Sequence, residues 1–89
     1  MPVRELTISN KEGLHARPAA KFVKLASRFS SDIWVEKDDE EINGKSIMGL
    51  MMLAAAHGSV IKVSAKGDDA EQAIEQLTLL VNNGFEEDC

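Results

Sequence analysis

With 89 residues, 44% of them hydrophobic and 28% charged, the chain has material for one compact domain, residues 1–89, and lies far from the composition of disordered proteins. A net charge of -5 with only three Phe and one Trp argues against nucleic-acid binding, and no stretch reaches the roughly 18 apolar residues needed for membrane insertion. The start, Met1 to Glu5, has no apolar leader, and the lone cysteine, Cys89, permits neither a disulfide framework nor a thiolate metal cluster, so a cytoplasmic protein is expected.

Charge is segregated along the chain. Residues 1–28 hold six basic side chains against two acidic ones, and residues 29–89 hold four against thirteen. The first element reads as a strand, with Arg4, Leu6 and Ile8 alternating against Val3, Glu5 and Thr7. Asn10 to Gly13 ends it. From Ala16 the period changes: Ala19, Phe22, Val23 and Ala26 make the apolar stripe of a helix, and Pro18 belongs in the first turn, where its missing N–H costs nothing. His15 is therefore placed at a helix N-terminus.

A second strand runs over Asp32–Lys37, with Ile33 and Val35 opposite Trp34 and Glu36. Asp38 to Glu41 reads as a solvated turn, with a short strand around Glu41 to Asn43 behind it. Ser46 is a natural N-cap for the apolar run Ile47 to Ala56, which Gly58 would close, with His57 as a cationic C-terminal cap. Strand Val60–Lys66 follows. Asp69 and Gln72 read as a capping box for the last helix, whose stripe is Ala70, Ala73, Ile74, Leu77, Leu80 and Val81, with Gly84 just past its end. This order predicts an α+β fold, a two-layer sandwich with a four-stranded sheet, helices on one face, and Trp34 and Lys62 on the open one.

The segment Gly13-Leu14-His15-Ala16-Arg17-Pro18-Ala19 carries the chemistry. A histidine replaces the Ser, Thr, Asp or Asn that would cap the helix better. Its ring stands beside the first-turn amides of Ala16 and Arg17, at the positive end of the helix, where anions bind. Arg17 adds a guanidinium fork that takes two phosphate oxygens at once. Nucleophile and phosphate clamp are adjacent, which suits a phosphohistidine whose phosphoryl group must leave again.

This segment resembles the active-site signature of the HPr family, the histidine-containing phosphocarriers of the bacterial phosphotransferase system. The likeness extends along essentially the whole chain, including Lys45-Ser46-Ile47-Met48-Gly49. The resemblance implies an open-faced, antiparallel sheet of order 1-4-2-3 covered by three helices. It implies that His15 is phosphorylated at Nδ1 by enzyme I, which draws on phosphoenolpyruvate, that Arg17 contacts the phosphate, and that enzyme IIA proteins discharge the group. It also makes Ser46 a candidate regulatory site for an HPr kinase/phosphorylase. Neither a cofactor nor a metal is implied, no turnover in isolation is expected, and the chain is expected to be a monomer.

Position 12 commonly carries a small polar residue in that family; Glu12 here is expected to repel an incoming phosphate unless its side chain turns outward. The acidic turn and the ending Asn83 to Asp88 look more like the nitrogen-branch relatives than the sugar-branch type. Two surfaces are candidates for partner docking: the basic stripe Lys21, Lys24 and Arg28 running away from His15, and Ile47, Met48 and Met51, left exposed if Leu50 and Leu53 fill the core. The alternative function is a regulatory module that binds a transcriptional regulator or enzyme through that apolar patch, switched at Ser46 or His15.

Overall fold

The alternation of period 2 and period 3.6 in the sequence becomes two layers. The computed structural model describes residues 1–86; the lone cysteine, Cys89, lies outside them. Its strands are β1 (Val3–Thr7), β2 (Asp32–Lys37), β3 (Glu40–Asn43) and β4 (Val60–Lys66), and its helices α1 (Ala16–Ala26), α2 (Ile47–Met52) and α3 (Ala70–Asn82). The sheet order is β1-β4-β2-β3, and every pair is antiparallel.

Register follows from the need to keep one face apolar. Leu6 pairs with Ile61 and Val35 with Val63, so buried side chains meet buried side chains across β1, β4 and β2. The opposite face carries the rungs Glu5–Lys62–Glu36 and Ser64–Trp34, with Trp34 and Lys62 exposed as expected. Arg4 is exposed, although it is in phase with Leu6. β1 is an edge strand, and a long cationic side chain there reaches solvent.

α1, α2 and α3 close over the apolar face. The stripes fill the space between layers: Ala19, Phe22 and Ala26 from α1, Leu50 from α2, and Ala73, Leu77 and Val81 from α3 are completely or nearly completely buried. Burying a side chain such as Phe22 contributes about 1.5–3 kcal/mol. Gly84, Phe85 and Glu86 all take positive φ, and this left-handed turn folds Phe85 back into the core beneath α1 and α3.

Three local expectations need correction. α2 ends at Met52, well short of Ala56: Leu53 and Ala54 donate to Leu50 and Met51 in i to i+3 bonds, and Ala54 turns left-handed at φ 52°. The apolar run hides this end because no glycine or proline stands between Leu50 and Ala56 to mark it. His57 consequently lies exposed in the following turn and does not cap α2. The turn within the acidic run is also shorter than read: Asp38 and Asp39 at φ 52° and 68° make a tight hairpin, and β3 begins at Glu40, one residue before the expected Glu41.

The third correction concerns Asp69. It precedes α3, but its carboxylate makes no capping bond; it accepts instead from the backbone N–H groups of Ser30 (2.9 Å) and Ser31 (3.0 Å) and from the Ser31 hydroxyl. These donors, the Ser31 hydroxyl first and the Ser30 amide next, hold the carboxyl at about 2, below its ordinary 3.8. The residue ties the start of α3 to the segment entering β2.

Candidate functional site

The segment between β1 and α1 is fastened to the segment between α2 and β4. Gly58 N–H donates to the Ile8 carbonyl, Ile8 N–H donates to the Ser59 carbonyl, and Leu14 N–H donates to the Ala55 carbonyl, each at 2.8 Å. The Asn10 side-chain amide donates to the Gly13 carbonyl at 2.6 Å and is itself buried. Gly13 sits at φ 76°, and a Cβ there would lie 2.5 Å from the Ala55 carbonyl oxygen and 2.9 Å from Ala56 Cα, both backbone atoms that cannot swing away. Glycine is required twice over, for its dihedral and for the close approach. Leu14 then plugs into the core and turns the chain into α1.

His15 is the N-cap of α1. Its backbone is extended (φ -88°, ψ -167°), its carbonyl accepts the first helical bond from Ala19, and its ring makes no capping hydrogen bond. The N–H groups of Ala16 and Arg17 have no acceptor within the helix, and Pro18 has no N–H to satisfy. Arg17 is exposed at the same end, and no acidic residue stands in the first turn to offset its charge or the helix dipole. The residues singled out for phosphate chemistry are thus gathered at one helix end.

The Glu12 carboxylate takes an unexpected position. It does not turn away: its Oε2 lies 3.3 Å from His15 Nε2, three residues on. Nε2 is shielded from solvent although the His15 side chain is 37% exposed, so the open area of the ring belongs to its other atoms.

Ser46 caps α2 as predicted, its hydroxyl accepting from Gly49 N–H at 3.0 Å. Behind it Ile47, Met48 and Met51 are exposed while Leu50 and Leu53 are buried, the division anticipated for a docking patch. Met52, 69% exposed, extends that patch and was missed because the helix was read as longer. α1 packs against α2, so the patch and His15 belong to neighbouring elements.

The basic stripe divides differently. Lys24 and Arg28 are exposed, but the Lys21 ammonium donates to the Phe85 carbonyl at 2.9 Å and is half-buried. Its four-carbon stem reaches the closing turn, a contact with no signal in the local sequence. Lys21 therefore ties α1 to that turn. A shallow cleft of about 540 Å³ runs between α1 and α3, lined by Lys21, Lys24, Arg28, Leu79 and Asn83 among others. It includes neither His15 nor Arg17. No group of three or more His, Cys, Asp or Glu suited to a metal occurs among the described residues, and no described helix is long and apolar enough to cross a membrane.

Known proteins of this shape carry the same arrangement of elements. Residues 3–83 match the family described as PTS HPr component phosphorylation site. The phosphocarrier protein HPr of Neisseria meningitidis is 52% identical over 84 residues, 94% of each chain. HPr from Thermoanaerobacter tengcongensis superposes with a TM-score of 0.95 at 54% identity over the full length of both. The Bacillus subtilis catabolite repression protein Crh is 44% identical over 94% of this chain and 97% of its own, with a TM-score of 0.76, and its crystal structure is a dimer with a swapped domain. A monomer is therefore not a rule among these relatives. With a matching family signature, close relatives along its length and the sheet order 1-4-2-3 under three helices, the chain belongs to the HPr family of phosphocarrier proteins of the phosphotransferase system.

Proposed function

We propose that this protein carries a phosphoryl group on His15 Nδ1, receiving it in the cytoplasm from phosphorylated enzyme I and delivering it to enzyme IIA proteins. The observation that carries the reading is His15 itself: a helix N-cap whose side chain, 37% exposed, makes no capping bond and stands at the positive end of α1, beside Arg17.

In the transfer, the Nδ1 lone pair forms the new bond to phosphorus as the donor's bond breaks, and the breaking bond's electrons stay with the donor. The phosphoryl oxygens lie against the amides of Ala16 and Arg17 and the guanidinium of Arg17. Stabilisation by two amides and an exposed guanidinium is moderate, which a carrier requires, since a deep and fully desolvated site would keep its cargo. Lys24, Arg28 and the patch Ile47, Met48, Met51 supply the docking surface on either side, basic for acidic enzyme surfaces and apolar for adaptable contact.

Incubation with enzyme I and labelled phosphoenolpyruvate is expected to place acid-labile, base-stable label on the wild-type chain and none on His15→Ala. Label persisting in that variant would overturn the assignment. Arg17→Ala is expected to slow transfer with little change in stability, and a normal rate would remove the clamp role.

A second, regulatory reading rests on Ser46. It stands half-exposed at the start of the apolar patch, and phosphorylation there would add about -2 charges beside the docking surface. Its being a kinase target finds support in the likeness to Crh, named for catabolite repression.

A further inference from the structure

Imidazole presents two nitrogens, and only the one without a proton is a nucleophile. The family reading assigns the phosphoryl group to Nδ1 but leaves open what keeps the ring proton off it. Three residues before His15, Glu12 sets a carboxylate oxygen 3.3 Å from Nε2. A negative charge at that distance favours a proton on the nitrogen facing it. The same device, a carboxylate on the far nitrogen, sets the tautomer of metal-bound histidines.

Resting on the phosphocarrier reading of His15, we propose that Glu12 is a positioning residue that holds the ring proton on Nε2 and so presents the Nδ1 lone pair to the phosphoryl donor. The three-residue spacing needs the bend at Gly13, whose left-handed φ of 76° brings position 12 back over the ring. Fixing this bend on the Ala55 carbonyl and the Asn10 amide makes the contact a property of the frame.

The proton inventory supports the assignment. When Nδ1 attacks, the ring gains phosphorus and becomes a phosphoimidazolium, with its positive charge shared and its proton still on Nε2 beside the Glu12 carboxylate. On discharge the acceptor's lone pair forms the bond to phosphorus, the N–P electrons return to Nδ1, and the neutral ring is left with the same proton on the same nitrogen. No proton enters or leaves the ring in either direction. A protonated ring is also the better leaving group, so the carboxylate assists departure as well as attack.

The test reads the ring directly. In nitrogen-15 NMR of the unphosphorylated protein, at a pH where His15 is neutral, the wild type is expected to show the Nε2–H form almost alone. Glu12→Ala should raise the Nδ1–H population severalfold, and Glu12→Gln, whose amide oxygen still accepts, should restore most of the wild-type ratio. The initial rate of labelling by enzyme I and phosphoenolpyruvate should fall by roughly tenfold in Glu12→Ala and less in Glu12→Gln. Identical tautomer ratios in wild type and Glu12→Ala overturn the proposal, as does a faster rate in Glu12→Ala, which would mean that the carboxylate only repels the phosphate. A wild-type chain that takes no label at all is a different failure: it overturns the phosphocarrier reading, and the transfer role of Glu12 with it, whatever the tautomer.

Discussion

The starts of α1 and α2 have the same problem and opposite solutions. Each leaves backbone N–H groups without intrahelical partners. At α2 the sequence supplies Ser46, whose hydroxyl accepts from Gly49 N–H, and the helix needs little else to begin. At α1 it supplies His15, which makes no capping bond, and the turn is held instead by the Leu14 N–H on the Ala55 carbonyl and the Asn10 amide on the Gly13 carbonyl. A helix end given over to chemistry has its support moved to the residues before it, and those carry the strain.

The comparison can be broken most forcefully at Gly13. Gly13→Ala is expected to lose about 2–4 kcal/mol of unfolding free energy in urea titration, from its positive φ and the clash with Ala55. An unchanged midpoint would mean that the turn is free to re-form elsewhere.

Asp69 extends the comparison to α3, where the N-cap side chain has left its own helix for Ser30 and Ser31. Its carboxyl titrates below its ordinary value, so its contribution is complete above about pH 4 and disappears as pH falls toward about 2. The difference in Tm between wild type and Asp69→Asn should accordingly narrow over that interval; a constant difference down to pH 2 would contradict the linkage.

The smallest effects are the most telling about purpose. Ser46→Ala should cost about 1 kcal/mol, while His15→Asn, which installs a good cap, should gain about 0.5–1 kcal/mol and lose all phosphoryl acceptance. A loss of stability in His15→Asn would show that the histidine was a structural choice after all.

These contrasts also explain what could be read in advance. α1 and its end were legible because the stripe Ala19, Phe22, Ala26 and the position of Pro18 are local signals, and local signals fixed His15 at the N-cap. The sheet order was supplied by family resemblance, while the alternation of each strand gave only its faces. What stayed hidden was tertiary. Asp69 and Gln72 read as a capping box until donors from a distant segment claimed the carboxylate; Lys21 read as a docking charge until its ammonium met the Phe85 carbonyl. The meeting of Glu12 with Nε2 depends on the bend at Gly13, and a list of residue types does not show which way a loop turns.

The bonds from Ile8 and Leu14 to the segment before β4 have a consequence for the order in which the molecule is made. β1 pairs only with β4, which enters the sheet between β1 and β2. During synthesis α1 can coil early, for its hydrogen bonds are local, but the frame behind His15 waits for a strand made much later. A nascent chain therefore holds His15 at a helix end for some time before the frame behind it exists, and that frame is complete only once β4 has joined the sheet.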